Sequence, residues 1–358
     1  MNNVRELRIF GFDKTDMTGT AAALKKLGFS SVVGHGAGNA AAFFAEEGLD
    51  YYAVQGCFGV DESIDFPENL CVDIEGNRTK WFGSACPNSP AAIAKCLADA
   101  RKLAAGPHLS GIIVDGARFA SPASAEGANA FFTCFCDHCQ AKMHELGYSS
   151  EKITASVSAL KTGQGFEPDV HREGILDWLA FRREVITGHL ARYIQSIREV
   201  NPALRVGMYI FPPSIATLVG QSYADLAKLF DFLSPMVYRH YDEGKSPACL
   251  DHEIVALLKQ PIFDLYKEIT GLPFGEMPSV DDFAKTGCPV SYVENEIATA
   301  VEQAATGHAT VFPILLLKDA ALAQCIQACL SQGIKDIDFF MYDRGILEAK
   351  TKEFAKIH

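Results

Sequence analysis

The sequence lacks the features of a nucleic-acid-binding, membrane or secreted protein. Its 358 residues include 32 Lys and Arg against 44 Asp and Glu, and the formal charge is −12. Contacts with a phosphate backbone need clustered basic side chains, so we expect no nucleic-acid partner. The longest apolar stretches, such as residues 311–317, are only as long as a strand, which predicts no membrane span. The N-terminus lacks the basic start and apolar run of a secretory signal.

Cysteine is too sparse for a disulfide scaffold. The chain has 11 cysteines, an odd number. We therefore expect reduced thiols and a cytoplasmic protein, unless a signal segment was removed before residue 1. In a reducing compartment, close cysteines are most often metal ligands or core residues. The isolated cysteines are predicted to be small core residues: Cys96, Cys249, Cys288, Cys325 and Cys329.

Short apolar runs alternate with helical segments along most of the chain. Strands are predicted at residues 7–12, 31–33, 51–54, 111–114, 206–211, 232–238, 310–316 and 337–341. Continuous apolar strands separated by helices indicate a parallel sheet covered on both faces. About eight strands favour a (β/α)8 TIM barrel over an open doubly wound sheet, and no G-x-G-x-x-G follows the first strand. We predict an α/β fold in which residues 1–358 form one barrel domain.

The alternation is interrupted after the fourth predicted strand. Residues 116–175 carry Gly, Ser and Pro, then three close cysteines, then a polar stretch, which predicts an insertion. A long helix over 175–200 follows, and Asn201-Pro202 is predicted to end it. Residues 261–290 show no clear strand. Residues 294–296, Glu-Asn-Glu, are predicted to lie on the solvated face at a helix start.

Three thiols within six residues predict a metal site. Cys134, Cys136 and Cys139 have the C-x-C and C-x-x-C spacings that let sulfurs converge on one zinc ion. Cys86, in a loop before the helix that leads to the fourth strand, is our candidate for the fourth ligand. Competing candidates for that position are Cys57, Cys71 and His138. A closed four-thiolate site would brace loops rather than activate water, so the zinc is predicted to be structural.

The same segment resembles a known family. Cys86-Pro-Asn-Ser-Pro90, then a helix, a strand and Cys134-x-Cys136-x-x-Cys139, resembles the zinc-bearing segment of the family 42 β-galactosidases. The resemblance covers residues 81–145, about a fifth of the chain. It implies a (β/α)8 glycoside hydrolase barrel, a structural zinc ion and a carbohydrate or glycoconjugate substrate.

The chain departs from this family at the catalytic positions. In the family the fourth strand ends in Asn-Glu, whereas here it ends in Val114-Asp115-Gly116, and the acid position holds Gly116. The seventh strand, residues 311–317, has no Glu for a nucleophile. The family's acid pair therefore cannot be transferred. An Asp-Gly-x-Arg ending, found in glycoside-hydrolase-like barrels, matches Asp115 and Arg118.

Candidate site residues are those that follow the carboxyl ends of predicted strands. Glycoside hydrolysis needs two carboxyl groups. Asp115 is our candidate nucleophile or base, because Arg118 nearby would keep it ionised; a structural ion pair is the alternative. Asp343 and then Asp13 are candidates for the second carboxyl. Predicted substrate contacts are Arg118, His35, Tyr209, Tyr238 and His240, and Trp81 is either a sugar platform or a core residue.

The function predicted from these residues is a glycoside hydrolase whose zinc ion is remote from the chemistry. One alternative is a carbohydrate-binding barrel that does not catalyse hydrolysis. Another is a metal-dependent isomerase or lyase with His35, Asp115 and His240 around a divalent ion. The sequence leaves the sugar, the linkage and the oligomeric state open, a homo-oligomer included.

Overall fold

A computed structural model describes residues 5–81, 83–124, 128–240, 250–270, 283 and 286–354. Cys249, a predicted core residue, lies outside them. Within the described ranges, none of the helices has both the length and the apolar character needed to cross a bilayer.

The described residues form eleven strands, nine of them in one parallel sheet. The strands are β1 Glu6–Phe10, β2 Ser31–His35, β3 Asp50–Gly56, β4 Cys71–Val72, β5 Arg78–Thr79, β6 Gly111–Asp115, β7 Arg205–Ile210, β8 Phe232–Pro235, β9 Thr310–Val311, β10 Ile314–Leu316 and β11 Asp336–Phe340. The sheet order is β10-β11-β1-β2-β3-β6-β7-β8-β9, and β4 pairs with β5 in a separate antiparallel hairpin. The predicted α/β class and parallel sheet are confirmed.

Helices connect most of these strands. They are α1 Met17–Lys26, α2 Gly38–Glu46, α3 Pro90–Ala104, α4 Ala128–Phe131, α5 Asp137–Glu145, α6 Ser150–Thr162, α7 Pro168–Val200, α8 Pro213–Ala216, α9 Tyr223–Leu226, α10 Leu250–Leu258, α11 Phe263–Thr270, α12 Val290–Ala304, α13 Leu322–Ser331, α14 Arg344–Ala349 and α15 Thr351–Phe354. Short 3-10 turns lie at Pro67–Asn69 and Thr217–Val219.

The parallel sheet curls until its two ends meet. The terminal strands β9 and β10 are separated along the chain by only Phe312 and Pro313. The end of β8 also reaches β10 directly, through a parallel bridge between Met236 and Ile314. A curled parallel sheet with its ends in contact matches a TIM barrel at the coarse level.

Several predicted boundaries differ from the structure for identifiable reasons. The predicted strand 310–316 is interrupted because Pro313 has no N–H to donate. Helix α7 begins at Pro168 rather than at 175, with proline in its first turn, so the predicted insertion boundary falls inside a helix. It ends at Val200 with Asn201 as its C-cap, as predicted. The segment 261–290 includes helix α11, which the sequence reading did not predict.

A buried ion pair joins the first and last strands inside the curled sheet. Arg8 of β1 donates from Nη2 to Asp338 Oδ2 of β11 at 2.7 Å, and Ser234 of β8 donates to the same oxygen at 3.2 Å. The Arg8 guanidinium carbon also lies 4.3 Å from the ring centre of Phe232. Burial raises the pKa of Asp338 to about 6, although Arg8 opposes the shift.

Two long connections leave the same end of the sheet. Strands β3 and β6 are parallel neighbours, with Gly56 opposite Asp115 at their carboxyl ends. Residues 57–89 follow β3, and a longer connection with helices α4 to α7 follows β6. Because neighbouring parallel strands end at the same edge, both connections begin beside Asp115.

Candidate active site and cysteine centre

Four buried cysteines come together where these two connections meet. The Sγ atom of Cys86 lies 3.4 Å from that of Cys139, 3.5 Å from that of Cys136 and 3.7 Å from that of Cys134. All four sulfurs lie within 4.8 Å of one another, and the group can hold a metal ion. Cys86 is therefore the fourth member, as predicted.

The local fold fixes each of these sulfurs. Cys136 is the N-cap residue of α5, which carries Cys139 in its first turn. The Val72 N–H donates to Cys134 Sγ at 3.3 Å. Asn88 donates from its backbone N–H to Cys86 Sγ and from Nδ2 to Cys139 Sγ, both at 3.3 Å. Such N–H donors stabilise metal-bound thiolates, so the residues present fit a metal ion.

The competing ligands lie beside or away from this centre. Cys71 is buried and close enough to form hydrogen bonds with Cys134 and Cys86, which raise its pKa, but it is not one of the four. Cys57 pairs instead with Cys96. His138, half-buried, lines a cavity of about 950 Å³ next to α5.

A buried arginine lies next to the cysteine centre. Arg182 of α7 donates to the carbonyl oxygens of Leu218 and Phe131, each at 2.5 Å, and to that of Thr133. Its guanidinium carbon lies 3.8 Å from the ring centre of Trp178. Burial lowers the pKa of Arg182 to about 9, and Cys71, Cys134 and Cys139 oppose this shift.

Asp115 ends β6 and remains partly exposed. Burial raises the pKa of its carboxyl group, whereas Arg118, the Gly116 N–H and His35 oppose that shift. Arg118 does lower the pKa of Asp115, but desolvation outweighs this attraction, so the net shift of the pKa is upward. Among the described residues, none of the charges that shift this pKa is a carboxylate.

Arg118 is buried rather than displayed to a substrate. Its guanidinium carbon lies 4.3 Å from the ring centre of Trp81 and 4.5 Å from that of Phe211. It donates to the Phe119 carbonyl oxygen at 3.0 Å. Burial lowers the pKa of Arg118 to about 10, and the charges of Glu253 and Asp115 oppose the shift. Trp81 is fully buried, so it is a core residue and not a sugar platform.

Aromatic rings connect three of the predicted substrate contacts. The ring centre of Phe10 lies 5.5 Å from that of His35, 6.4 Å from that of Tyr209 and 5.2 Å from that of Phe340. Phe340 lies 5.2 Å from Tyr238. We call these five residues the aromatic floor. The sequence analysis missed Phe10 and Phe340, although each is the last residue of its strand.

The other two candidate carboxyls are held by local hydrogen bonds. Asp13 Oδ1 accepts from the Thr15 N–H at 2.8 Å and from the Thr15 hydroxyl at 2.7 Å. Asp343 is exposed and is the N-cap of α14, where its Oδ1 accepts from the Ile346 N–H at 2.9 Å. Both geometries are those of structural turn and cap residues.

His240 pairs with a buried carboxylate instead of joining His35 and Asp115. Its Nδ1 lies 2.8 Å from Asp251 Oδ2. Among the described residues, His35, Asp115 and His240 do not form a group that can hold a metal ion. The structure thus gives no support to the isomerase or lyase alternative.

Two glutamates are buried although the sequence did not predict their burial. Glu253 accepts from the Ser121 hydroxyl at 2.6 Å and from the Ala123 N–H at 3.2 Å. Glu296 accepts from the Ser214 N–H at 3.0 Å, so its predicted solvated position is wrong. Burial raises the pKa of each carboxyl to about 7. No sequence signal distinguishes them from surface glutamates.

The fold is similar to that of known glycoside hydrolases. It matches the PgaB (BpsB) glycoside hydrolase domain from Bordetella bronchiseptica with a TM-score of 0.61 at 11% identity, over 98% of this chain and 99% of that one. It matches the β-galactosidase of the psychrophilic Marinomonas ef1 with a TM-score of 0.62 at 10% identity, over 94% of this chain and 54% of that one. For a GH42 β-galactosidase from G. stearothermophilus the TM-score is 0.59 at 12% identity, over 100% and 57% of the two chains.

These likenesses establish a shared fold. The chain spans little more than half the length of the two β-galactosidases. No protein-family model and no curated protein sequence matches it.

Proposed function

We propose that residues 1–358 form one (β/α)8 glycoside-hydrolase-like domain that acts on a carbohydrate or glycoconjugate at the carboxyl ends of its strands. Counting β9 and β10 as one interrupted strand gives eight strands around the sheet. The connection after β6 is then the insertion predicted from the sequence. The fold shared with glycoside hydrolases supports this proposal, because such barrels build their sites at that end.

The observation that carries the proposal is the position of Asp115. Asp115 is half-buried at the end of β6, and the imidazole of His35 acts on the pKa of its carboxyl group. Burial raises the pKa of Tyr209, which belongs to the aromatic floor, and the charges of Asp338 and Asp115 add to that shift. An aromatic surface with a few convergent polar groups suits a sugar. Asp115 is the nucleophile or the base for water.

The second carboxyl is to be identified among the sequence candidates. Asp343 and Asp13 each accept local N–H bonds, which favours structural roles for both. If either is the acid, its amide variant will lose turnover as Asp115→Asn does. The two variants otherwise serve as matched controls, since each removes one carboxyl from a loop at a strand end.

The cysteine centre binds one structural zinc ion in this proposal. Four thiolates around Zn²⁺ close its tetrahedral coordination and carry a net charge of about −2, which buried Arg182 partly offsets. The ion braces the connections after β3 and β6 and takes no part in the reaction. Reduced thiols of this kind favour a reducing, cytoplasmic location.

One observation favours a second candidate function, carbohydrate binding without hydrolysis. Within the part of the chain that the structure describes, no carboxylate is among the charges that shift the pKa of Asp115. A pair of carboxyls about 5–10 Å apart is what hydrolysis requires. In this alternative the aromatic floor and Asp115 hold the sugar, and no bond is broken.

Turnover and binding together test both candidates. Wild type, Asp115→Asn, Asp343→Asn and Asp13→Asn are assayed against a panel of chromogenic glycosides, and calorimetry measures binding of the matching sugars. For a hydrolase, Asp115→Asn lowers kcat by about 10³-fold and still binds sugar. For a binding barrel, wild type binds without turnover and Asp115→Asn binds more weakly. Wild type that neither binds nor hydrolyses, or an Asp115→Asn variant indistinguishable from it, contradicts both.

A further inference from the structure

A second group of metal-ligating side chains lies in the core, apart from the four-cysteine centre. Cys57 follows β3, Cys96 lies on α3 and His189 lies on α7, and all three are buried. The Sγ atoms of Cys57 and Cys96 are 3.4 Å apart. One ligand atom from each of the three residues lies within 4.8 Å of the others. The fold thus brings two thiols and an imidazole to one point.

His189 supplies an independent observation. Its side chain is fully buried, and neither ring nitrogen makes a hydrogen bond of normal geometry among the described residues, although the ring interacts with Cys96. One face of the imidazole packs against Phe58, with ring centres 4.5 Å apart. An unsatisfied polar group in the core costs about 1–3 kcal/mol. Coordination of a metal ion by one nitrogen removes that cost for the atom that binds.

The spacing of the sulfurs is that of metal ligands. Two thiolates at about 2.3 Å from a tetrahedral zinc ion lie about 3.8 Å apart. The Cys57–Cys96 separation of 3.4 Å is within a few tenths of an ångström of that value. It also equals the separation of the Cys86 and Cys139 sulfurs in the four-cysteine centre. A small increase in the separation of the Cys57 and Cys96 sulfurs makes room for the ion.

Surrounding polar groups orient this cluster. The Gln55 amide donates from Nε2 to the Cys96 carbonyl oxygen at 3.0 Å, and the Tyr193 hydroxyl donates to Gln55 Oε1 at 2.7 Å. A cavity of about 650 Å³ is lined in part by Gly188 and by His189 of the cluster.

We propose that Cys57, Cys96 and His189 bind a second zinc ion, with water as the fourth ligand. The site joins the connection after β3, which carries Cys57, to α3 with Cys96 and α7 with His189. Because the Cys57 N–H donates to the Asp115 carbonyl oxygen at 2.8 Å, the ion also stabilises the backbone at the strand end that carries Asp115. A thiophilic d10 ion suits two sulfurs and one imidazole.

Metal content of purified full-length chain tests the site. The proposal expects two zinc ions per chain in wild type and one in Cys96→Ser and in His189→Gln. Cys139→Ser also retains one ion, the one held by Cys57, Cys96 and His189. Cys329→Ser, at a buried cysteine outside both clusters, keeps two and is the matched control. Wild type with one ion that Cys139→Ser removes overturns the proposal.

X-ray absorption of wild type gives a second readout that needs no variant to fold. Two sites together average three sulfurs and half an imidazole nitrogen per zinc, whereas a four-cysteine site alone gives four sulfurs and no imidazole. A signal of four sulfurs overturns the proposal. So does thiol counting that finds Cys57 and Cys96 joined as a disulfide in protein purified under reducing conditions.

Discussion

Glu253 is a buried acidic residue whose burial cannot be predicted from the sequence. Charged side chains are normally exposed, so a glutamate on a helix reads as a surface residue from sequence. The chain instead buries Glu253 completely, between the Ser121 hydroxyl and the Ala123 N–H. Those two donors come from the segment that follows Arg118. The carboxyl therefore positions that segment, and it titrates near neutral pH.

The raised pKa of Glu253 predicts a pH-dependent stability. Its pKa rises from 4.5 in the unfolded chain to about 7 in the fold. Between these values the native state holds a proton that the unfolded state has released, so stability falls as the pH rises. Glu253→Gln removes this effect. As the pH rises from 5 to 8, we expect the free energy of unfolding of the variant to increase by about 2–3 kcal/mol relative to that of wild type. Chemical denaturation at each pH measures this change.

A surface variant separates this effect from loss of charge. Glu302 lies exposed on α12, and Glu302→Gln is the matched control. A stability difference between Glu253→Gln and wild type that does not change with pH would show that the buried carboxyl is ionised in the fold throughout this range.

At the scale of elements, the two cysteine groups differ in how visible they are in the sequence. Cys134, Cys136 and Cys139 lie within six residues, so their local spacing predicts convergence before any fold is known. Cys96 and His189 are far apart along the chain, and the packing of α3 against α7 brings them together. Sequence spacing therefore predicts a site whose ligands are close along the chain. A site whose ligands are far apart along the chain can be recognised only from the tertiary fold.

We expect the proposed zinc ion of the four-cysteine centre to stabilise the helices that follow β6. Cys139→Ser removes one ligand, so the ion is lost and the connection after β6 loses its brace. We expect Tm to fall by about 10 °C or more, with faster hydrogen exchange in Asp137–Glu145 and Ser150–Thr162 than in the sheet. Cys329→Ser is again the control. Equal acceleration of exchange across sheet and helices would contradict a local bracing role.

At the scale of the whole molecule, the Arg8–Asp338 pair holds together strands from opposite ends of the chain. The pair lies inside the curled sheet, among aromatic rings. The alternation of strands and helices predicts such a sheet, because each apolar run is local. The alternation does not predict the buried ion pair, because Arg8 and Asp338 are 330 residues apart. Likewise the sequence predicts Asp115 because this residue ends an apolar strand. Phe10 and Phe340 become neighbours in the aromatic floor only when β1 and β11 pair.

Breaking this pair is predicted to destabilise the whole fold. Asp338→Asn leaves the Arg8 charge buried without its partner and should cost about 3–5 kcal/mol, measured by urea unfolding. Replacing both residues, Arg8→Met with Asp338→Leu, should recover most of that loss. The adjacent pair of Arg5 with Asp336 is the control, because Arg5 is 59% exposed and Arg5→Met should cost less than about 1 kcal/mol. Equal costs for the two pairs would contradict this account.

The most direct test of the central claim is a crystal structure of Asp115→Asn with the sugar that wild type binds best. The account predicts a sugar ring against Phe10 and Phe340, with a sugar oxygen within hydrogen-bond distance of the side chain at position 115. A sugar seated instead in the cavity of about 950 Å³ lined by Asp73 and His138, with the strand ends empty, would contradict it.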